Sequence, residues 1–192
     1  MIIGITGGTG CGKPTLLKCI GSLGGLVLDC DEIYHQLLTS DSALLAAIGK
    51  RFPGTVTDGL LDRKKLGKLV FSDESALQAL NRITHGAVKN EVLCKLKSKP
   101  SLAAIDAIGL FESELAQLCD VTVAVTAPEE KRVQRLMARD GISEEYAKSR
   151  ITAQHSGDWF SEKCDVTLVN DGTEAAFREK CLAFLHSLDI MK

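Results

Sequence analysis

The chain predicts a three-layer α/β fold built on a five-stranded parallel sheet, and three observations carry that expectation. Short apolar runs recur along its 192 residues, too far apart to be joined as hairpins. Each run is continuous rather than alternating, as expected of strands covered on both faces. Helical patterns separate successive runs, so the strands should pair in parallel through right-handed crossovers.

The first strand is the run Met1 to Ile5, which ends in glycines. Thr15 to Ile20 ("TLLKCI") reads as a helix stopped by Gly21, Gly24 and Gly25. "LVLDCD" from Leu26, "LAAIDAIGLF" from Leu102, "DVTVAVTAP" from Asp120 and "DVTLVNDG" from Asp165 supply the remaining strands. In the middle, Leu77, Leu80, Ile83 and Ala87 keep helical spacing. At the end, Phe177, Cys181, Phe184, Leu185 and Leu188 form one apolar stripe, with Thr173 as its N-cap.

Two stretches interrupt the alternation. Thr39 to Pro100 is almost all helical pattern, too long for one crossover, and reads as a helical excursion above the carboxyl edge of the sheet. Met137 to Gln154 is a charged helical stretch with little apolar face, capped by Ser143, and reads as a mobile lid carrying arginines. The whole chain, 1–192, is then one unit. Its core comprises 1–30, 101–136 and 160–192, with a helical substrate region over 31–100 and a lid over 137–159.

Composition fits a globular protein, with 45% hydrophobic and 25% charged residues. A net charge of −2 argues against a long-range basic field, so nucleic acid is not an expected partner. No apolar run approaches the roughly 18 residues of a membrane span. The start, "MIIGITGG", lacks the charged region of a signal peptide, which points to a cytoplasmic protein. The seven cysteines contain no C-x-x-C pair and read as buried, reduced thiols. Cys11 stands apart, because a thiol at a helix N-terminus can be reactive.

The strongest motif is "GGTGCGKPT", Gly7 to Thr15. A strand precedes Gly7-x-x-x-x-Gly12-Lys13 and a helix follows it, the setting in which such a loop holds phosphates. Gly8, Thr9, Gly10, Cys11 and Gly12 let backbone N–H groups converge on oxyanions, and Lys13 neutralises the β- and γ-phosphates of a nucleotide. A Ser or Thr normally follows the lysine, its hydroxyl on Mg²⁺ and its N–H on phosphate. This chain has Pro14, which has neither group but whose fixed φ suits the first helical turn. Losing one charge-assisted hydrogen bond costs about 1.5–3 kcal/mol, or roughly 10- to 150-fold in affinity. Thr15 is no simple substitute, since one step along a helix rotates a side chain by about 100°. Its hydroxyl is better placed for the α-phosphate.

"LDCDEIYHQL", from Leu28, sets Asp29 and Asp31 at the end of a strand, where α/β sheets bind ligands. Asp31 suits a general base that orients an attacking hydroxyl, whereas Asp29 equally suits a helix cap. Asp106 ends another strand and is a candidate to hold Mg²⁺ through water. Arg135, Arg139 and Arg150 bracket the lid, and arginine can stabilise a phosphoryl group in transfer. His85 is the one histidine assigned a possible ligand contact.

These motifs resemble those of the dephospho-coenzyme A kinases. The likeness runs from the first strand to about Gly172 and includes "GITGGTGCGK", "LDCDEIYHQL", "DGLLDRKKLGKLVFSD" (from Asp58), "LNRITHG" (from Leu80), "LFE" (from Leu110), "RLMARDGIS" (from Arg135), and Gln154 followed by "CDVTLVNDG". The resemblance implies a phosphate-loop kinase fold and transfer of the γ-phosphate of MgATP to the 3′-hydroxyl of dephospho-coenzyme A. Carried over, Gly10 to Thr15 bind ATP phosphates and Arg135 the nucleotide, Asp31 is the base and Arg139 the lid arginine. Asp29, Asp31, Arg63, His85 and Glu112 then fall at the acceptor. The sequence departs from the family at Pro14, Cys11, Cys30 and Gly86. Two other readings stay open: a nucleotide- or coenzyme A-binding module disabled by Pro14, and another small-molecule kinase.

Overall fold

A computed structural model describes residues 1–188, which fall into two compact units: 1–28 with 99 onward, and 29–98. The first is the sheet unit. Its strands are β1 (Ile2–Thr6), β2 (Leu26–Asp29), β5 (Ala103–Asp106), β6 (Val121–Thr126) and β7 (Val166–Val169), ordered β2-β5-β1-β6-β7. β1 lies parallel to β5 and β6, and β7 lies parallel to β6, giving the expected five-stranded parallel sheet.

Helices α1 (Lys13–Ser22) and α9 (Glu174–Ser187) cover one face. Leu16, Cys19 and Ile20 of α1 meet Phe177, Cys181, Phe184 and Leu185 of α9 over Ile3, Ile5, Val123 and Val125. Thr173 caps α9 by accepting from the Ala176 N–H at 3.2 Å. Helix α1 starts two residues earlier than the sequence suggests and runs through Gly21. Of the three glycines expected to stop it, Gly24 makes the chain reversal, with a φ of 78°.

The charged stretch expected as one lid helix is two. Helix α6 (Glu129–Asp140) ends at Gly141, with φ 65°, and α7 (Glu144–Thr152) restarts at Ser143, which accepts from the Tyr146 N–H. Nor is its apolar face slight. Ala147 and Ile151 of α7 pack on Val133 and Leu136 of α6. Helix α8 (Gly157–Lys163) follows.

The second unit contains α2 (Cys30–Ser40), α3 (Ser42–Arg51), α4 (Arg63–Val70) and α5 (Glu74–Leu96). They enclose a core of Leu38, Leu44, Ile48, Phe52, Leu66, Val70 and Leu80. Four aspartates start these helices: Asp29, Asp41, Asp62 and Asp73 each accept backbone N–H groups in the first turn. The unit is not wholly helical. A hairpin of β3 (Val56–Thr57) and β4 (Leu60–Leu61) turns on Asp58 and Gly59, both with positive φ, as a tight two-residue hairpin requires.

Among the described residues no helix is long and apolar enough to cross a membrane. Cys11, Cys19, Cys30 and Cys181 are buried, but Cys94 is exposed, against expectation.

Candidate active site

The glycine loop leaves β1 and enters α1 through Gly12, whose φ of 103° is closed to ordinary side chains. Pro14 occupies the first turn of α1 without disturbing it, and the Thr15 N–H donates to the Gly12 carbonyl at 3.1 Å. Lys13 folds back over the loop. Its Nζ donates to the Gly7 carbonyl at 3.0 Å and stands 3.8 Å from Asp106 Oδ1, both side chains being largely buried. Asp106 is the last residue of β5, so parallel pairing with β1 sets it beside the loop.

Four further side chains grip the loop from outside. Arg132 Nε donates to the Thr9 carbonyl at 2.9 Å. Arg135 donates to the carbonyls of Gly10 (3.1 Å) and Cys11 (3.4 Å) and to Asn170 Oδ1 (3.0 Å). Asn170, buried at the end of β7, donates to the Cys11 carbonyl at 2.9 Å. Gln154, after α7, accepts from the Thr9 N–H at 2.8 Å. Arg132, Lys13 and Arg135 all favour a thiolate at Cys11, but burial outweighs them and pushes its thiol up. Cys11 is buried, within the core that also holds Leu16 and Phe177. Gly8, Cys11, Arg132, Gln154 and His155 help line a cavity of about 420 Å³.

Other residues singled out from the sequence lie elsewhere. Arg139 grips the neighbouring Asp140 through Nε (2.7 Å) and Nη2 (2.9 Å), and Arg150 joins the same carboxylate at 2.6 Å. Hydrogen bonds from Arg139 and then Arg150 hold the Asp140 carboxyl well down, at about 2. Glu112 is exposed and pairs with His155 Nε2 at 3.2 Å. The His155 ring stacks on Trp159 at 3.8 Å, an arrangement that no motif announced.

In the helical unit, Asp29 Oδ1 accepts from the N–H groups of Asp31 (2.9 Å) and Glu32 (3.0 Å), so it caps α2. Only Asp29 ends the strand as expected, because β2 stops there and Asp31 is already in the first turn of α2. Arg63 opens α4 and is exposed, while His85 is half-buried on α5. Burial pushes the Tyr34 hydroxyl up, and the Arg63 charge opposes that rise. Thr9, Gly10, Lys13, Asp106 and Arg135 thus come together in the sheet unit, and Asp29, Asp31, Arg63 and His85 belong to the helical unit.

Comparison with known proteins agrees. Residues 1–176 match the family model for dephospho-CoA kinase. A dephospho-CoA kinase of Carboxydothermus hydrogenoformans is 36% identical over 96% of this chain and 92% of its own length. The crystal structure of TT1252 from Thermus thermophilus superposes with a TM-score of 0.81 at 33% identity, covering 98% of this chain and 97% of that one. Dephospho-CoA kinase from Campylobacter jejuni superposes with a TM-score of 0.68 at 26% identity over 97% and 96% of the two chains. A shikimate kinase from Acinetobacter baumannii shares the fold, with a TM-score of 0.56. The chain belongs to the dephospho-CoA kinase family, ATP-dependent transferases of coenzyme A biosynthesis.

Proposed function

We propose that the chain transfers the γ-phosphate of MgATP to the 3′-hydroxyl of dephospho-coenzyme A, at a rate lowered by Pro14. The observation that carries this reading is the Lys13 ammonium folded over the loop, 3.0 Å from the Gly7 carbonyl and 3.8 Å from Asp106. A polyphosphate received by the loop amides, those of Gly10 and Gly12 among them, meets that charge, with Arg135 adding positive field behind the loop and the Thr15 hydroxyl left for the α-phosphate.

Asp31 is the proposed base. It takes the ribose hydroxyl proton as the oxygen attacks phosphorus and ADP departs. Arg139 supplies lid charge to the transferring group, and residues 137–159 act as the lid. Asp29, Arg63 and His85 of the helical unit, with Glu112, are assigned to the acceptor through the motifs that carry them.

Mg²⁺, when bound, neutralises charge between the transferring phosphates. Among the described residues no three His, Cys, Asp or Glu side chains gather as a metal cluster. Asp106, at the end of β5 beside the loop, is the protein carboxylate that would help hold the ion. Pro14 offers no hydroxyl, so Asp106 carries more of that role here.

The test is ADP release from MgATP with dephospho-coenzyme A as acceptor, for this chain and for Pro14→Ser. Both should turn over, with the serine variant binding nucleotide about 10- to 150-fold more tightly. ADP from neither protein would overturn the assignment. Nucleotide binding without turnover by this chain at any Mg²⁺ concentration would make it a binding module disabled by Pro14.

A further inference from the structure

Arg132 is 6% exposed on α6, although the loop motif asks for no cation there. Its Nε bonds the Thr9 carbonyl at 2.9 Å, and its Nη2 reaches Gln154 Oε1 at 3.5 Å. The same Gln154 oxygen accepts from the Thr9 N–H at 2.8 Å. Both backbone groups of one loop residue are therefore held by side chains 123 and 145 positions away. The fit is close. A Cβ on Gly8 would stand 2.3 Å from Arg132 Nη2, so a side chain there would push the guanidinium from this place.

The consequence follows from peptide geometry. In a trans peptide the C=O and the next N–H point in opposite directions, and no cis bond occurs among the described residues. Holding the Thr9 carbonyl against α6 turns the Gly10 N–H away from it. Asn170, on the Cys11 carbonyl, does the same for the Gly12 N–H. The acceptors facing Arg132 are neutral, a carbonyl and an amide oxygen, so its positive charge stays beside the loop.

We infer that Arg132 is a positioning residue for the nucleotide: with Gln154 it clamps the Thr9 peptide and aims the Gly10 N–H at a phosphate oxygen. The inference rests on the nucleotide reading of the loop. It gives this chain a means of pre-setting one amide where Pro14 has removed another.

The experiment compares the full chain with Arg132→Gln, Arg132→Lys and Gln154→Ala. In kinetics, Arg132→Gln should raise the KM for ATP about 10-fold or more, as loss of a charged hydrogen bond does. The KM for dephospho-coenzyme A should stay within about twofold. Arg132→Lys, which keeps the charge but not the Nε bond, should recover only part of the loss. Without nucleotide, amide exchange at Thr9 should quicken by about tenfold or more in Gln154→Ala, a change confined to the loop. A folded Arg132→Gln protein whose KM for ATP stays within about twofold overturns the inference. Should that variant not fold, Gln154→Ala decides: unchanged Thr9 exchange and unchanged KM for ATP overturn it equally. Absence of nucleotide binding by the parent chain would instead sink the nucleotide reading, and Thr9 exchange would still report whether the clamp exists.

Discussion

The phosphate loop and the helical unit are stabilised in opposite ways. Every helix of the unit 29–98 is started by an aspartate that bonds N–H groups two or three residues ahead, and its hairpin turns on two adjacent residues. The loop takes its shape from residues far along the chain: Arg132, Arg135, Gln154 and Asn170 reach back across 123, 125, 145 and 159 positions. Local contacts give each helix its own start. Distant contacts make the loop a product of the finished sheet, so its amides are set only once β6, α6 and β7 are in place.

The sharpest way to break this comparison is at Lys13. Lys13→Ala should lower kcat/KM by about 100-fold or more, since a preorganised charge is lost where negative charge gathers. Its melting temperature should move little. A loss below about fivefold would show that the loop does not use its lysine.

A change in the helical unit should do the reverse. Asp73→Ala removes the cap of the 23-residue α5, at a cost of about 1 kcal/mol. That should lower the melting temperature by roughly 2–4 °C and leave the KM for ATP unchanged. A large change in that KM would mean that the cap is not the local feature described.

The smallest effect belongs to Asp140. Its carboxyl sits at about 2, below the ordinary carboxylate range, because Arg139 and Arg150 bond its charged form. A lowered value stabilises the fold above the unfolded value near 4 and loses that contribution as pH falls toward 2. The Asp140 carboxyl carbon, followed by NMR, should titrate near 2. A midpoint near 4 would show that the arginines do not hold it.

What the sequence made legible follows the same division. The five strands could be read because each is a continuous apolar run, fully buried along most of β1, β5 and β6 and partly exposed in β2 and β7, and α9 because its stripe repeats at helical spacing behind Thr173. The placement of Lys13 in the loop and of Asp106 beside it was legible, because one lies within a compact motif and the other at a strand end. The hairpin at 56–61 was missed, since two-residue strands carry no periodicity, although Asp58-Gly59 is a turn signal. The break between α6 and α7 was also announced, by Gly141 and Ser143, but charged residues on both sides masked it. Arg132, Asn170 and the His155–Trp159 stack had no local signal, because each acts through a neighbour that only the folded sheet supplies.

The most direct test is an amide NMR titration of the chain with a non-hydrolysable ATP analogue and Mg²⁺. The N–H signals of Gly10, Gly12 and Lys13 should move first and furthest, with the Lys13 side chain following. Saturating shifts elsewhere, with those three unmoved, would contradict the assignment of this loop to nucleotide phosphates.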